Sequence, residues 1–167
     1  MQCGIGRGEA PAKAILLGEH AVVYGYPALA VPLAELRARA EACRVAGLDD
    51  AVVEVPAMGL TASLRQEPDQ PLALALGLVL ETLQAPTEGI RVQLQSDIPP
   101  ASGLGSGAAV STAIMRAILS LLGSDLPLSR LSELVYEVEK VHHGNPSGID
   151  NTVVVHGRLV CFRRGHP

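Results

Sequence analysis

Three short segments carry residue types whose spacing could do chemistry. The first runs Ile98-Pro99-Pro100-Ala101-Ser102-Gly103-Leu104-Gly105-Ser106-Gly107-Ala108-Ala109. Glycines let a backbone approach a ligand closely and turn its N–H groups toward an anion. The helix-like run that follows adds a partial positive charge at its start, so the pattern suits a phosphate group. No Gly-Lys-Ser/Thr closes the loop, so it is not a Walker A loop. Gly103, Gly105 and Ala108 also match a weak dinucleotide fingerprint. Pro99-Pro100 between strand and first glycine, and the lack of an acidic strand end about 20 positions on, count against that reading. A plain tight turn with a close helix contact remains the structural alternative.

The second segment, Glu139-Lys-Val-His-His-Gly-Asn-Pro-Ser-Gly-Ile-Asp150-Asn151, gathers polar and charged groups around two glycines and a proline. A carboxylate in such a loop can act as general base or metal ligand if its neighbours tune it. Equally, Ser147 and Asp150 are good helix N-caps and Asn-Pro-Ser-Gly is a good turn. The adjacent pair His142-His143 has no chelating spacing, because neighbouring side chains point apart. The third segment, Ala10-Pro-Ala-Lys13-Ala-Ile-Leu-Leu-Gly-Glu19-His20, sets a lysine in an apolar stretch. A partly buried lysine needs an anionic partner or a shifted pKa, whereas an edge-strand lysine can reach solvent along its stem.

These segments need elements to position them. Strands are expected at Ala14–Leu17, Ala28–Pro32, Ala38–Val45 and Ala51–Val55, the period-two run from Arg37 to Arg44 being the half-buried kind. An apolar helix is expected over Leu72–Leu83, between Pro71 and Pro86, then a strand at Ile90–Leu94. The glycine loop opens into a helix over Ala108–Leu122, and Leu128–Val141 is a second helix with Ser129 as its N-cap. Thr152–Phe162 reads as strand with a turn at Gly157. Strands first, then helices, give an α+β domain.

With 167 residues and 48% hydrophobic residues, the chain has the length of one folded domain. Aromatics make up 2%, so Ala, Val, Leu and Ile must build the core. A net charge of −4 gives no field for a phosphate backbone, which argues against nucleic acid as a partner. Cys3, Cys43 and Cys161 are odd in number and far apart, which fits a reducing compartment better than a disulfide or zinc framework. The longest apolar run, Leu72–Leu80, is about half of the roughly 20 residues that cross a bilayer, and the N-terminus lacks the pattern of a signal peptide. A cytoplasmic protein with no membrane partner is expected.

Together, the three segments resemble a known family. Ala10-Pro-Ala-Lys-Ala-Ile-Leu-Leu-Gly-Glu-His-Ala-Val-Val-Tyr-Gly resembles the first motif of mevalonate kinases. The Pro99–Ala109 loop resembles the ATP-binding motif of the wider GHMP superfamily, and the Glu139–Asn151 segment resembles the mevalonate-kinase form of its catalytic segment. The resemblance runs from about Glu9 to Phe162, and it implies a two-layer α+β domain of the ribosomal-S5-domain-2-like type. It implies ATP-dependent phosphorylation of mevalonate with Mg²⁺ as cofactor. Asp150 would be the base and Lys13 its charged neighbour. Glu19 and His20 would join Lys13 and Asp150 in holding the substrate. The loop Pro99, Pro100, Ala101, Ser102, Gly103, Leu104, Gly105, Ser106, Gly107 and Ala108 would bind ATP, with Glu139 and Ser106 on the metal.

The sequence departs from the family pattern in two places. Family members usually carry Gly-Leu-Gly-Ser-Ser, whose second serine ligates magnesium, and here that position is Gly107. Ser106, Ser111 or a water must then substitute, or metal binding is weaker. Family kinases also carry a C-terminal domain that completes the cleft, which residues 1–167 do not include. Weak ATP binding and association, as a homodimer or with a C-terminal half, are therefore expected. Another GHMP kinase, acting on phosphomevalonate or homoserine, and a non-catalytic nucleotide-binding module are the alternatives.

Overall fold

The structure, a computed structural model, describes residues 4–164, so Cys3 lies outside the described residues. Six strands form one sheet: β1 (Gly6–Leu17), β2 (Ala28–Arg44), β3 (Ala51–Val55), β4 (Leu60–Ser63), β5 (Ile90–Ser96) and β6 (Val160–Phe162). The order is β1-β2-β5-β3-β4, with β6 paired to the first residues of β2. All pairings are antiparallel except β3 with β5, whose connection contains α1 (Pro71–Thr82). The other α-helices of the described residues are α2 (Ser106–Leu122), α3 (Leu128–His143) and α4 (Ile149–His156). The fold is α+β, as expected.

The core follows from the composition. Ala10, Ala12, Ala38, Ala40, Ala42, Val92 and Leu94 line the inner face of β1, β2 and β5. Against them pack Ala109, Ala113, Ile114, Ala117 and Ile118 of α2. Small side chains on both sides bring helix and sheet close together. A Cβ added at Gly8 of β1 would collide with the Ala113 carbonyl oxygen and the Ala117 nitrogen. Each fully buried Ile or Leu adds about 1.5–3 kcal/mol by leaving water. Arg7, Glu9, Arg37, Arg39 and Glu41 alternate with these positions and pair across the strands on the opposite face.

Several elements differ from expectation. The strands expected at Ala28–Pro32 and Ala38–Val45 are one strand, β2. Its pairing with β1 jumps from Arg37–Pro11 to Leu33–Ala12, so the intervening residues bulge instead of ending the strand. β4 is an additional strand of only four residues, Leu60–Ser63. The N-cap of α3 is Pro127, not Ser129: Leu131 N–H donates to the Pro127 carbonyl at 3.0 Å. The expected strand over 152–156 is instead helix α4. Its Val153, Val154 and Val155 are buried and the chain leaves it at Gly157. Packing against neighbouring elements overrides the strand preference of the β-branched run. Among the described residues, no helix is long and apolar enough to cross a membrane.

Candidate active site

Lys13 sits on β1 with its backbone N–H donating to the Leu104 carbonyl at 3.0 Å, so the glycine loop is docked on this strand. Its side chain is 5% exposed and its Nζ lies 2.9 Å from Asp150 Oδ1. Of the two readings open for Lys13, the anionic partner is the observed one. Asp150 is in the first turn of α4, behind Gly148, which is the N-cap with φ 92°. Neither Ser147 nor Asp150 is the N-cap of α4.

The loop arrives from the end of β5. Ser102 Oγ donates to the Pro99 carbonyl at 2.7 Å and closes its first turn, while Pro99, Pro100, Ala101, Ser102 and Gly103 are exposed. Gly105 is the N-cap of α2, with φ 70° and no side chain to cap the helix. The N–H groups of Ser106, Gly107 and Ala108 begin the helix, where intrahelical acceptors are lacking and the dipole favours an anion. Gly105 also packs over the ion pair. A Cβ there would stand 2.8 Å from Lys13 Cγ, 3.1 Å from Lys13 Cε and 3.6 Å from Asp150 Oδ2. Glycine is thus required at 105 both by backbone conformation and by space.

Glu139 enters from α3. It is 3% exposed, and its Oε1 is buried with no hydrogen-bond partner. Burial, and then the charge of Asp150, push its carboxyl up to about 7, against a smaller opposite pull from Lys13. An unpartnered buried carboxylate oxygen beside a second carboxylate fits a bound cation, which would reverse that shift. Among the described residues, no group of three or more His, Cys, Asp or Glu is arranged to hold a metal. An ion held at Glu139 would complete its shell with phosphate oxygens and water. Of the two serines expected to help, Ser106 is half-buried in the first turn of α2 and Ser111 is buried on the same helix.

Lys13, Asp150, Glu139 and the loop are thus brought together. Glu19 and His20 are exposed in the turn after β1, and the Gly18 before them packs against Pro27 and Ala28. His143, given no role from sequence, has Nε2 3.7 Å from Glu139 Oε2, one helical turn away. The i,i+4 spacing could have signalled it. The side chain of His142 lies outside what the structure describes. A concavity of about 310 Å³ between α3 and α4, lined by Ser129, Ser132, Tyr136, Asn151 and His156 among others, includes neither Lys13, Asp150 nor the loop.

Comparison with known proteins agrees with this fold. A mevalonate kinase of Pyrococcus furiosus is 36% identical over 172 residues, covering 94% of this chain and 51% of that protein. The crystal structure of the Methanococcus jannaschii mevalonate kinase matches with a TM-score of 0.86 and 25% identity, over 96% of this chain and 54% of that one. L. major mevalonate kinase in complex with R-mevalonate matches with a TM-score of 0.78 and 26% identity, over 98% of this chain and 50% of that one. The chain spans about half the length of the curated relatives it matches. Residues 72–158, which take in the glycine loop, Glu139 and Asp150, match the family described as the GHMP kinases N terminal domain. With more than half of its residues in that match and this fold, the chain belongs to the GHMP kinase N-terminal domain family.

Proposed function

We propose that this chain acts in the ATP-dependent phosphorylation of mevalonate to 5-phosphomevalonate, in the cytoplasm. The observation that carries the reading is the 2.9 Å contact of Lys13 Nζ with Asp150 Oδ1, packed under Gly105 at the head of α2. Phosphoryl transfer asks little covalent chemistry of a protein. It asks for positioning, charge neutralisation and a carboxylate to orient the attacking hydroxyl.

In this reading the Gly103–Ser106 backbone and the first N–H groups of α2 hold the ATP phosphates. Asp150 accepts the hydroxyl proton of mevalonate as the oxygen forms a bond to the γ-phosphorus. The bond from that phosphorus to the β–γ bridging oxygen breaks, and ADP leaves. Lys13 orients the Asp150 carboxylate and offsets charge on the transferring group. Glu139 and Ser106 would hold Mg²⁺, which when bound neutralises phosphate charge. Glu19 and His20 would hold the polar end of the substrate.

The similarity to mevalonate kinases favours mevalonate over phosphomevalonate or homoserine. An ADP-release assay on each acceptor tests this, with the chain alone and with the C-terminal half of the Pyrococcus furiosus relative supplied. Mevalonate-dependent release is expected, faster with the second half because a closed cleft excludes water. Preference for another acceptor would move the reading elsewhere in the superfamily. ATP binding without transfer in both arms would leave a nucleotide-binding module.

A further inference from the structure

We propose that Asn151 is a positioning residue for phosphoryl transfer, tying the helix that carries Asp150 to the helix that carries Glu139. The proposal rests on the function proposed above. Asp150 and Asn151 are neighbours in the first turn of α4, and their side chains have different surroundings. The Asp150 side chain is 26% exposed and meets Lys13. Asn151 is 6% exposed, and its Nδ2 donates to the Ser132 carbonyl at 3.1 Å and to Ser132 Oγ at 2.9 Å. Both hydrogens of one amide are thus spent on one residue of α3.

Ser132 lies two helical turns before Glu139, so the two share nearly the same face of α3. Fixing Asn151 to Ser132 therefore fixes the relation of the Asp150 carboxylate to that of Glu139. Between them on α3, Tyr136 donates its hydroxyl to the Pro146 carbonyl at 3.2 Å, which holds the middle of the connecting loop. The Tyr136 ring also stands 3.8 Å from where a Cβ at Gly148 would be. The loop is hung from α3 at two points, one on each side of Gly148.

The amide is a costly way to fill that space. Asn151 Oδ1 is buried and has no hydrogen-bond partner, so it carries the desolvation of an acceptor that an apolar side chain would not. A leucine of similar size would suit stability alone. What leucine lacks is a directed bond, and direction is what a reacting carboxylate requires: a misplacement of about 1 Å can cost about 100-fold in rate.

The test compares Asn151→Leu, Ser132→Ala and the double variant with the parent, in the form of the protein that turns over. Asn151→Leu is expected to lower kcat by about 10-fold or more, with KM for ATP within about 3-fold. The double variant should fall within about 2-fold of Asn151→Leu, since Ser132 acts through the amide. A purely structural role would lower the melting temperature and leave kcat of the folded protein unchanged, and that result overturns the proposal. If the parent transfers no phosphoryl group to mevalonate, the function reading fails by itself. A crystal structure of Asn151→Leu still decides the positioning role. An Asp150 carboxylate displaced by about 1 Å or more relative to Glu139 supports it, and an unchanged placement of the two carboxylates overturns it.

Discussion

Asp150 Oδ1 accepts from Lys13 Nζ at 2.9 Å, and the lysine making this contact has a side chain only 5% exposed. The pair joins the first strand to the last helix of the fold. Removing one partner leaves the other poorly solvated. Asp150→Asn keeps size and polarity and cannot take the hydroxyl proton. Turnover on mevalonate should fall by about 100-fold or more, with ATP affinity by calorimetry little changed. Activity within a few-fold of the parent would remove Asp150 from the role of base.

Gly105→Ala should be far more harmful than Gly103→Ala. Both positions have positive φ, 70° and 74°, so each alanine bears a backbone cost of about 1 kcal/mol. Only at Gly105 does the new methyl meet Lys13, whereas nothing lies within 4 Å at Gly103. We expect about a 10-fold further loss of kcat from Gly105→Ala. Equal kcat for the two variants, measured below their melting temperatures, would show that the close packing over the ion pair does not matter.

The raised Glu139 carboxyl makes metal-free stability depend on pH. The folded protein holds this proton up to about 7 and the unfolded chain releases it near the ordinary 4.5. The folded state therefore binds more protons between those values, and stability falls as pH rises through that window, by at most about 3 kcal/mol. Above about 7 the loss is complete. Glu139→Gln should flatten the slope in urea titrations from pH 4.5 to 7.5. Mg²⁺ with ATP should bind more tightly as pH rises toward 7 and level off above it, because the ligand must lose its proton. A slope unchanged in Glu139→Gln would assign it to another group.

Gly107→Ser restores the hydroxyl found at this position in the family pattern that the loop resembles. If Glu139, Ser106 and the phosphates already hold the ion, an added oxygen ligand should lower the Mg²⁺ needed for half-maximal activity by about 3-fold or more. A requirement that stays flat would mean that another oxygen already fills that coordination position.

What was legible in the sequence was governed by short-range chemistry. Pro71 at the first helical turn, with Gln70 Oε1 accepting from the Leu72 and Ala73 N–H groups, starts α1 where the apolar run begins. Alternation fixed the inner and outer faces of β2, and the glycines marked the loop before α2. The three segments of the site could be picked out for the same reason, since each is contiguous. Their meeting could not be read from spacing. Lys13, Glu139 and Asp150 come from β1, α3 and α4, and only the packing of those elements under Gly105 sets the ion pair and buries Glu139. The helical state of α4 was equally a tertiary outcome. Thr152-Val153-Val154-Val155 has a strand's composition, yet burying Val153, Val154 and Val155 outweighs a propensity difference that spans only about 1 kcal/mol. Ser132 gives no local sign that it receives Asn151, because a hydrogen bond between two helices leaves no periodicity in either.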